Sequence, residues 1–458
     1  MREILIRGGQ VVLADQVVEA DVLIAGERIK ALGLGLPADG TQVVEAQGLL
    51  VLPGVIDAHT HIQLDTGGYQ TDDDWFVGSR AAAFGGVTTV VDFATQFPGQ
   101  RFEEALARRL EEAASSVIDY AFHMMVTDLP PGEEDALGQL PELGIQSIKL
   151  YTTYRPLYYA DDAALVRLLE AAARYGLISL VHCENDALVT AQTELLTQEG
   201  HLGWRYHGAS RPALAEEEAA ARVLLLAERA GASVVIAHNS LAATVERVHA
   251  ARLRGQRAFC ETAPQYLLLS HELYQGTEPW RYILQPPLRA PEEQEGLWAQ
   301  VAMGRVDMLI TDHCDYSRAQ KRAFDDLTRT PGGLPGIETL LPLMATYGVG
   351  EGRLDWLRLV RLLSVNPARI YGLWPHKGVL APGADADLVL FDPDWQGYVD
   401  EGALHMVAGY SPFDGMRLQG RVVSTMRRGA FLIREGEFVG QKGSGRFLPR
   451  HAEGWTGS

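Results

Sequence analysis

The stretch Leu50–His61, LVLPGVIDAHTH, decides the fold, because an apolar run ends there in two histidines two residues apart. On an extended strand the side chains at i and i+2 point the same way, so His59 and His61 can reach one ion. Seven further apolar runs follow, at Thr88–Phe93, Tyr120–Val126, Ser147–Tyr151, Ile178–His182, Ser233–His238, Ala258–Thr262 and Met308–Thr311. Helical stretches rich in Ala, Leu, Glu and Arg lie between most of them. With Leu50–Ala58 as the first, these eight units predict an α/β fold, a (β/α)8 TIM-like barrel over residues 51–374.

Polar residues fall where such a barrel keeps its chemistry. His59, His61, Lys149, His182, His238 and Asp312 stand at or just past the C-terminal ends of the expected strands. Taken singly, each has a plainer explanation: an HxH pair is more often surface or core than ligand, and a lone buried histidine is often hydrogen-bonded. Lys149, in the apolar strand SIKLY, has no carboxylate close in sequence. Buried, its amine would lose its charge and take up carbon dioxide, giving a carbamate able to bridge two cations. Four histidines, Asp312 and that carbamate suffice for two divalent ions with room for a bridging water.

Outside the barrel the pattern changes. The first fifty residues carry short β-rich runs, Glu3–Arg7, Gln10–Leu13, Asp21–Ile24, Arg28–Leu32 and Gln42–Val44, which suggest a small antiparallel sheet. Similar runs return at Gly378–Pro393 and Arg421–Gly440, so residues 1–50 and 375–440 are expected to build one β-sandwich domain from both termini. The tail, residues 441–458, is rich in glycine and polar residues and reads as mobile or as held by a neighbouring subunit.

The bulk properties narrow the function. A chain of 458 residues, 47% hydrophobic and 22% charged, is long enough for a barrel and a companion module. A formal charge of −19 opposes nucleic-acid and anionic-membrane roles. Three separated cysteines, Cys183, Cys260 and Cys314, argue against a disulfide framework, and no run approaches a membrane span, so the expected location is cytoplasmic. There is no GxSxG elbow, phosphate-binding loop or strand-linked GxGxxG to support another chemistry.

These residues, together with the segments DAHTH, ETAPQYLLL, PPLR, GADADLVLFDP and GYSPFDGMRLQG, resemble the cyclic amidohydrolases, and among them the dihydropyrimidinase and D-hydantoinase branch. The resemblance spans almost the whole chain. It implies a binuclear zinc-type centre with carboxylated Lys149, a homotetramer or homodimer, and a part in pyrimidine degradation. The implied reaction is hydrolytic opening of a cyclic diamide, a 5,6-dihydropyrimidine or 5-substituted hydantoin, to an N-carbamoyl amino acid by a metal-activated hydroxide. Carried over by position, His59, His61, Lys149 and Asp312 would hold the more buried ion, and Lys149, His182 and His238 the other. Asp312 would also shuttle the proton, and Tyr154 would stabilise the oxyanion.

Two segments depart from the family pattern. Gln285 precedes Pro-Pro-Leu-Arg where relatives carry Ser or Cys, and Gly332 replaces the asparagine of an Ile-Pro-Asn-Gly pattern; both positions are expected to bind the substrate imide through main-chain groups. In the loop IQLDTGGYQTDDDWF, Tyr69, Trp75 and Phe76 are candidates for the exocyclic pocket. The alternatives are another cyclic amidohydrolase, such as allantoinase or dihydroorotase, and a non-catalytic assembly relative. Dihydroorotases carry an arginine two residues past the HxH pair, where this chain has Gln63; assembly relatives lack the metal ligands, which are all filled here.

Overall fold

The structure, a computed structural model, describes residues 3–66 and 68–450. Eight parallel strands form its centre: β6 (Val55–Asp57), β7 (Val87–Gln96), β8 (Asp119–Val126), β9 (Ser147–Tyr151), β10 (Ile178–His182), β11 (Ser233–Ile236), β12 (Ala258–Thr262) and β13 (Met308–Leu309). Nearly every residue of these strands is buried, as expected where the outer face is covered by helices and the inner face fills the barrel. The helix Asp162–Arg174 shows the local logic. Asp161 caps it by accepting the Ala164 N–H at 2.8 Å, and Leu165, Leu168, Leu169 and Ala172 turn inward.

The two-residue strand β13 leaves the seam with β6 to side chains and loops. Asp57 accepts from the Thr311 N–H at 3.1 Å and from the Thr311 hydroxyl. Beyond the strand ends Thr60 and His313 form a parallel bridge, with the His61 N–H donating to the His313 carbonyl at 2.7 Å. The barrel is therefore pulled together at the level of its histidine pair.

The expected first barrel strand, Leu50–Ala58, is in fact two. Residues Leu50–Pro53 (β5) belong to the second sheet and only Val55–Asp57 to the barrel. The change occurs at Gly54, where a Cβ would lie 2.2 Å from the Thr88 hydroxyl oxygen, so only glycine lets the chain cross.

The second sheet holds β1 (Glu3–Val12), β2 (Val17–Ala25), β3 (Arg28–Gly33), β4 (Gln42–Glu45) and β5 from the N-terminus. From the other end come β14 (Leu388–Tyr398), β15 (Arg417–Arg427), β16 (Ala430–Arg434) and β17 (Glu437–Phe438). Both termini thus contribute, as expected, but the sheet is mixed rather than antiparallel: β1 pairs in parallel with β4 and β5. The two runs expected at 3–7 and 10–13 are one strand carrying a bulge between Ile6 and Gly9. Val22 and Ile29 share a core with Leu388 and Met426 from the far end of the strand order, so this one sheet curls over on itself.

A buried ionic knot ties the sheet to the barrel floor. Lys377 Nζ lies 2.7 Å from Asp119, 2.6 Å from Asp387 and 3.0 Å from Asp385, and Arg428 Nε reaches Asp119 at 3.0 Å. Residues 441–450 of the expected tail then run along the same floor. The Tyr120 N–H donates to the Arg446 carbonyl at 2.9 Å and the Leu448 N–H to the Tyr120 carbonyl at 2.7 Å. Arg450 is fully buried and donates to the Phe122 carbonyl and, at 2.9 Å, to Ser147 Oγ. This segment is held by its own barrel, where the sequence left motion or a neighbouring subunit open; residues 451–458 lie outside the described residues. No helix of the described residues is long and apolar enough to cross a membrane.

Candidate active site

A cavity of about 450 Å3 opens at the C-terminal ends of the barrel strands, a volume suited to a small ligand. It gathers every expected metal ligand together with Tyr154 and the two expected imide positions: His59, His61, Lys149, His182, His238, Asp312, Tyr154, Gln285 and Gly332 all line it. Lys149 is the third of the five residues of β9, His182 ends β10, and the others follow their strands directly or on loops. Tyr69 also lines the cavity and is pinned by its hydroxyl, which donates to the Arg329 carbonyl at 2.7 Å. Trp75 and Phe76 do not: Trp75 is buried against Tyr120 and Phe122, and Phe76 packs on Phe438. Those two belong to the scaffold because they start a helix that faces the barrel wall.

The donors converge. His61 Nε2 is 3.2 Å and His59 Nε2 3.4 Å from Asp312 Oδ1, and Lys149 Nζ is 3.4 Å from His59 Nε2. The His182 and His238 rings lie 4.5 Å apart, and His238 is 5.4 Å from His59. His59, His61 and Asp312 each place a ligand atom within 4.8 Å of the others. Asp312, His238 and Tyr154 all have positive φ, at 52°, 31° and 73°, a strained conformation costing about 1–3 kcal/mol each that aims their side chains inward.

Electrostatics favour a cation here. Burial pushes the His59 and His238 imidazoles well below their usual value and His182 below it, so they offer lone pairs rather than charge. Burial also lowers the Lys149 amine to about 8, against the pull of Glu261 and Asp312. The ring nitrogens His61 Nδ1 and His238 Nδ1 are buried without a hydrogen-bond partner among the described residues. Uncharged imidazoles, a carboxylate and orphaned nitrogens in one buried patch fit a divalent ion.

Several residues that sequence reasoning passed over hold these donors in place. His59 turns Nδ1 to Glu261, and His182 turns Nε2 to Glu184 at 2.8 Å, which leaves the opposite nitrogen of each for the cavity. Burial would raise Glu184, but Arg211, 2.7 Å away, and His182 outweigh it and hold the carboxyl below its usual range. Glu184 sits two residues past His182, a spacing that could have flagged it; Arg211 and Lys321, far from any motif, gave no signal. Lys321 is buried and donates to the carbonyls of Ile283, Pro331 and Gly333 at 2.5, 3.0 and 2.9 Å.

Residues 50–432 match the amidohydrolase family. The chain belongs to that family. Among relatives of this amidohydrolase, the D-hydantoinase of Geobacillus stearothermophilus is 37% identical over 97% of this chain and 96% of its own. The D-phenylhydantoinase of Escherichia coli O81 (strain ED1a) is 39% identical over 98% of both chains. Among solved structures, the dihydropyrimidinase from Brevibacillus agri NCHU1002 superposes with a TM-score of 0.96 at 37% identity, covering 98% of this chain and 99% of that one. Membership in the amidohydrolases and the clustered donors together support the use of divalent metal.

Proposed function

We propose that this amidohydrolase opens cyclic diamides, 5,6-dihydropyrimidines or 5-substituted hydantoins, to N-carbamoyl amino acids. The observation that carries the reading is the convergence of His59, His61, Lys149, His182, His238 and Asp312 in one buried cavity, in a chain similar over its length to hydantoinases and a dihydropyrimidinase. His59, His61 and Asp312 would hold one divalent ion and His182 and His238 a second, with Lys149, carboxylated by carbon dioxide, between them. Zinc suits this donor set. When bound, the metal supplies Lewis acidity, polarising a ring carbonyl and making water acidic enough to attack at neutral pH.

The chain's own residues do the rest. Asp312, whose side chain keeps 14% exposure at the cavity wall, takes the proton of the attacking water and passes it to the ring nitrogen as the C–N bond breaks. Water is thus divided between the two ends of the broken bond, with no further reactant. The Tyr154 hydroxyl, held protonated by burial, donates to the oxygen on which negative charge gathers. Tyr69, Tyr158, Tyr316 and Leu157 surround the cavity and suit an apolar substituent on the ring.

The test is a ring-opening assay of metal-loaded protein on dihydrouracil, dihydrothymine, 5-substituted hydantoins, allantoin and dihydroorotate. Turnover of the first three classes is expected. Activity confined to allantoin or dihydroorotate would overturn the reading.

A further inference from the structure

His123 is buried in β8 two residues before Met125, which lines the cavity, so its side chain points into the barrel one step deeper. Both of its nitrogens are engaged. Nε2 lies 3.0 Å from the Ala58 carbonyl oxygen and Nδ1 2.6 Å from Ser147 Oγ, which in turn accepts from Arg450 Nη2 at 2.9 Å. Burial holds the imidazole well below its usual value, so the ring is uncharged and carries one proton. A carbonyl can only accept, which puts that proton on Nε2. Nδ1 is then a lone pair, and it takes the Ser147 hydroxyl proton. The donors therefore run in one direction, from Arg450 through Ser147 and His123 to Ala58.

Both ends of this relay are fixed. At the floor, the Arg450 N–H donates to the Gly144 carbonyl at 2.9 Å, and its side chain also donates to the Phe122 carbonyl. Gly144 has φ 75° and a Cβ there would lie 2.7 Å from Pro449 Cβ, so the strap comes this close only over glycine. At the mouth, the Ala58 carbonyl shares a peptide unit with the His59 N–H, which donates to Asp57 Oδ1 at 3.4 Å. A peptide unit is planar, so holding its oxygen from one side and its nitrogen from the other sets the direction in which His59 leaves the backbone. His123 supports the pair through Phe93 as well: the two rings are 5.1 Å apart, and Phe93 stacks on His61 at 4.7 Å and meets His59 at an edge at 4.9 Å. Apolar side chains would fill a barrel interior without the desolvation that such a chain of polar groups costs.

We propose that His123, anchored by Arg450 through Ser147, is a positioning residue for the metal ligand His59, so that the C-terminal segment governs how firmly the mouth of the barrel keeps its ion. The three residues act through the backbone, on neither substrate nor ion directly. They keep the 58–59 peptide plane from rocking and carrying the His59 imidazole off the ion. The inference rests on the ring-opening reading above in one respect, that His59 is a metal ligand.

The experiment is the rate at which zinc-loaded protein gives up metal to a chromogenic chelator at neutral pH, with thermal unfolding measured alongside. His123→Phe keeps a ring but no polar atom, and it releases the ion held by His59 about 10- to 100-fold faster than wild type. His123→Gln, whose carboxamide can donate to Ala58 and accept from Ser147, recovers most of that loss. Arg450→Met and Ser147→Ala each speed release, and the double variant releases no faster than the quicker single one, because both cut the same relay. If His123→Phe does not fold, Arg450→Met and Ser147→Ala carry the test by themselves. A segment with a structural role alone would lower the unfolding temperature of these variants and leave the release rate unchanged. That result, full additivity in the double variant or failure of His123→Gln to recover would overturn the assignment while leaving the ring-opening function intact. Wild type that retains no zinc, manganese or cobalt after loading would overturn both.

Discussion

At the scale of single residues, Lys149 is the most consequential. It is 1% exposed, over the faces of Phe93 and Tyr151, and its amine is lowered to about 8 by burial. That lowering enlarges the uncharged fraction of the amine, the form that the proposed carboxylation needs. Lys149→Ala is therefore expected to drop metal content, measured by elemental mass spectrometry, from about two ions per chain to near zero. Carbon-13 NMR after incubation with labelled bicarbonate should show a carbamate carbon in wild type alone. Tyr154→Phe removes one donor at the oxyanion and should lower kcat about 100- to 1,000-fold with little change in KM. The histidines and Asp312 were legible because they close apolar runs, as in VIAHNS and MLITDH, and Lys149 because a lysine stands inside one. Their partners were not, because Glu261 and Arg211 acquire meaning only when strands distant in sequence come side by side. Gln285 and Gly332 show the same limit: 47 residues apart in the chain, they read as two separate departures, but the Gln285 carboxamide occupies the space in which a side chain at 332 would begin.

At the scale of elements, the ionic knot under the barrel joins β8 to the segment before β14 and to the end of β15. Burial alone would raise Asp119, but Lys377, Arg427 and Arg428 outweigh it and hold the carboxyl below its usual range. Burial alone would lower Lys377, but Asp387, Asp119 and Asp385 outweigh it and raise the amine above its usual value. A carboxyl lowered on folding adds stability above its unfolded pKa, about 4, and loses it as the pH falls through the folded value. An amine raised on folding adds stability below its unfolded pKa, about 10, and loses it as the pH rises through the folded value. Lys377→Met should cost about 3–5 kcal/mol in denaturant unfolding at pH 7, because buried Asp387 loses its ion-pair partner and Asp119 and Asp385 each lose one of their cations. The difference from wild type should shrink as the pH falls, first as Asp387, raised by burial, and then as Asp119, held low by its cations, take up protons. The expected strands at β9, β10 and β12 coincide with the observed ones because each is a clean apolar run. The first strand was misjudged because Leu50–Ala58 is apolar throughout, and apolarity does not say which of two sheets a residue joins.

At the scale of the whole molecule, the segment 441–450 works as a strap across the end of the barrel opposite the cavity. Phe447 stacks on Phe122 at 5.8 Å and lies 6.3 Å from Tyr120, and Arg450 reaches in below Ser147. A chain ending at residue 440 is expected to keep its KM and to unfold several degrees earlier, read by calorimetry beside the ring-opening assay. A matching loss of KM would show that floor and mouth are coupled through β8 and β9.

The strap also orders events during synthesis. Strands β1 to β5 can pair among themselves as soon as they emerge, yet β5 must wait for β14, and the barrel floor for Arg450, which follows its partner Phe122 by 328 positions. Contacts this distant in sequence are slow to close. The nascent chain therefore carries an open barrel bottom and an unfinished sheet edge until β14 and Arg450 have been made, the interval in which a chaperone has the most surface to hold.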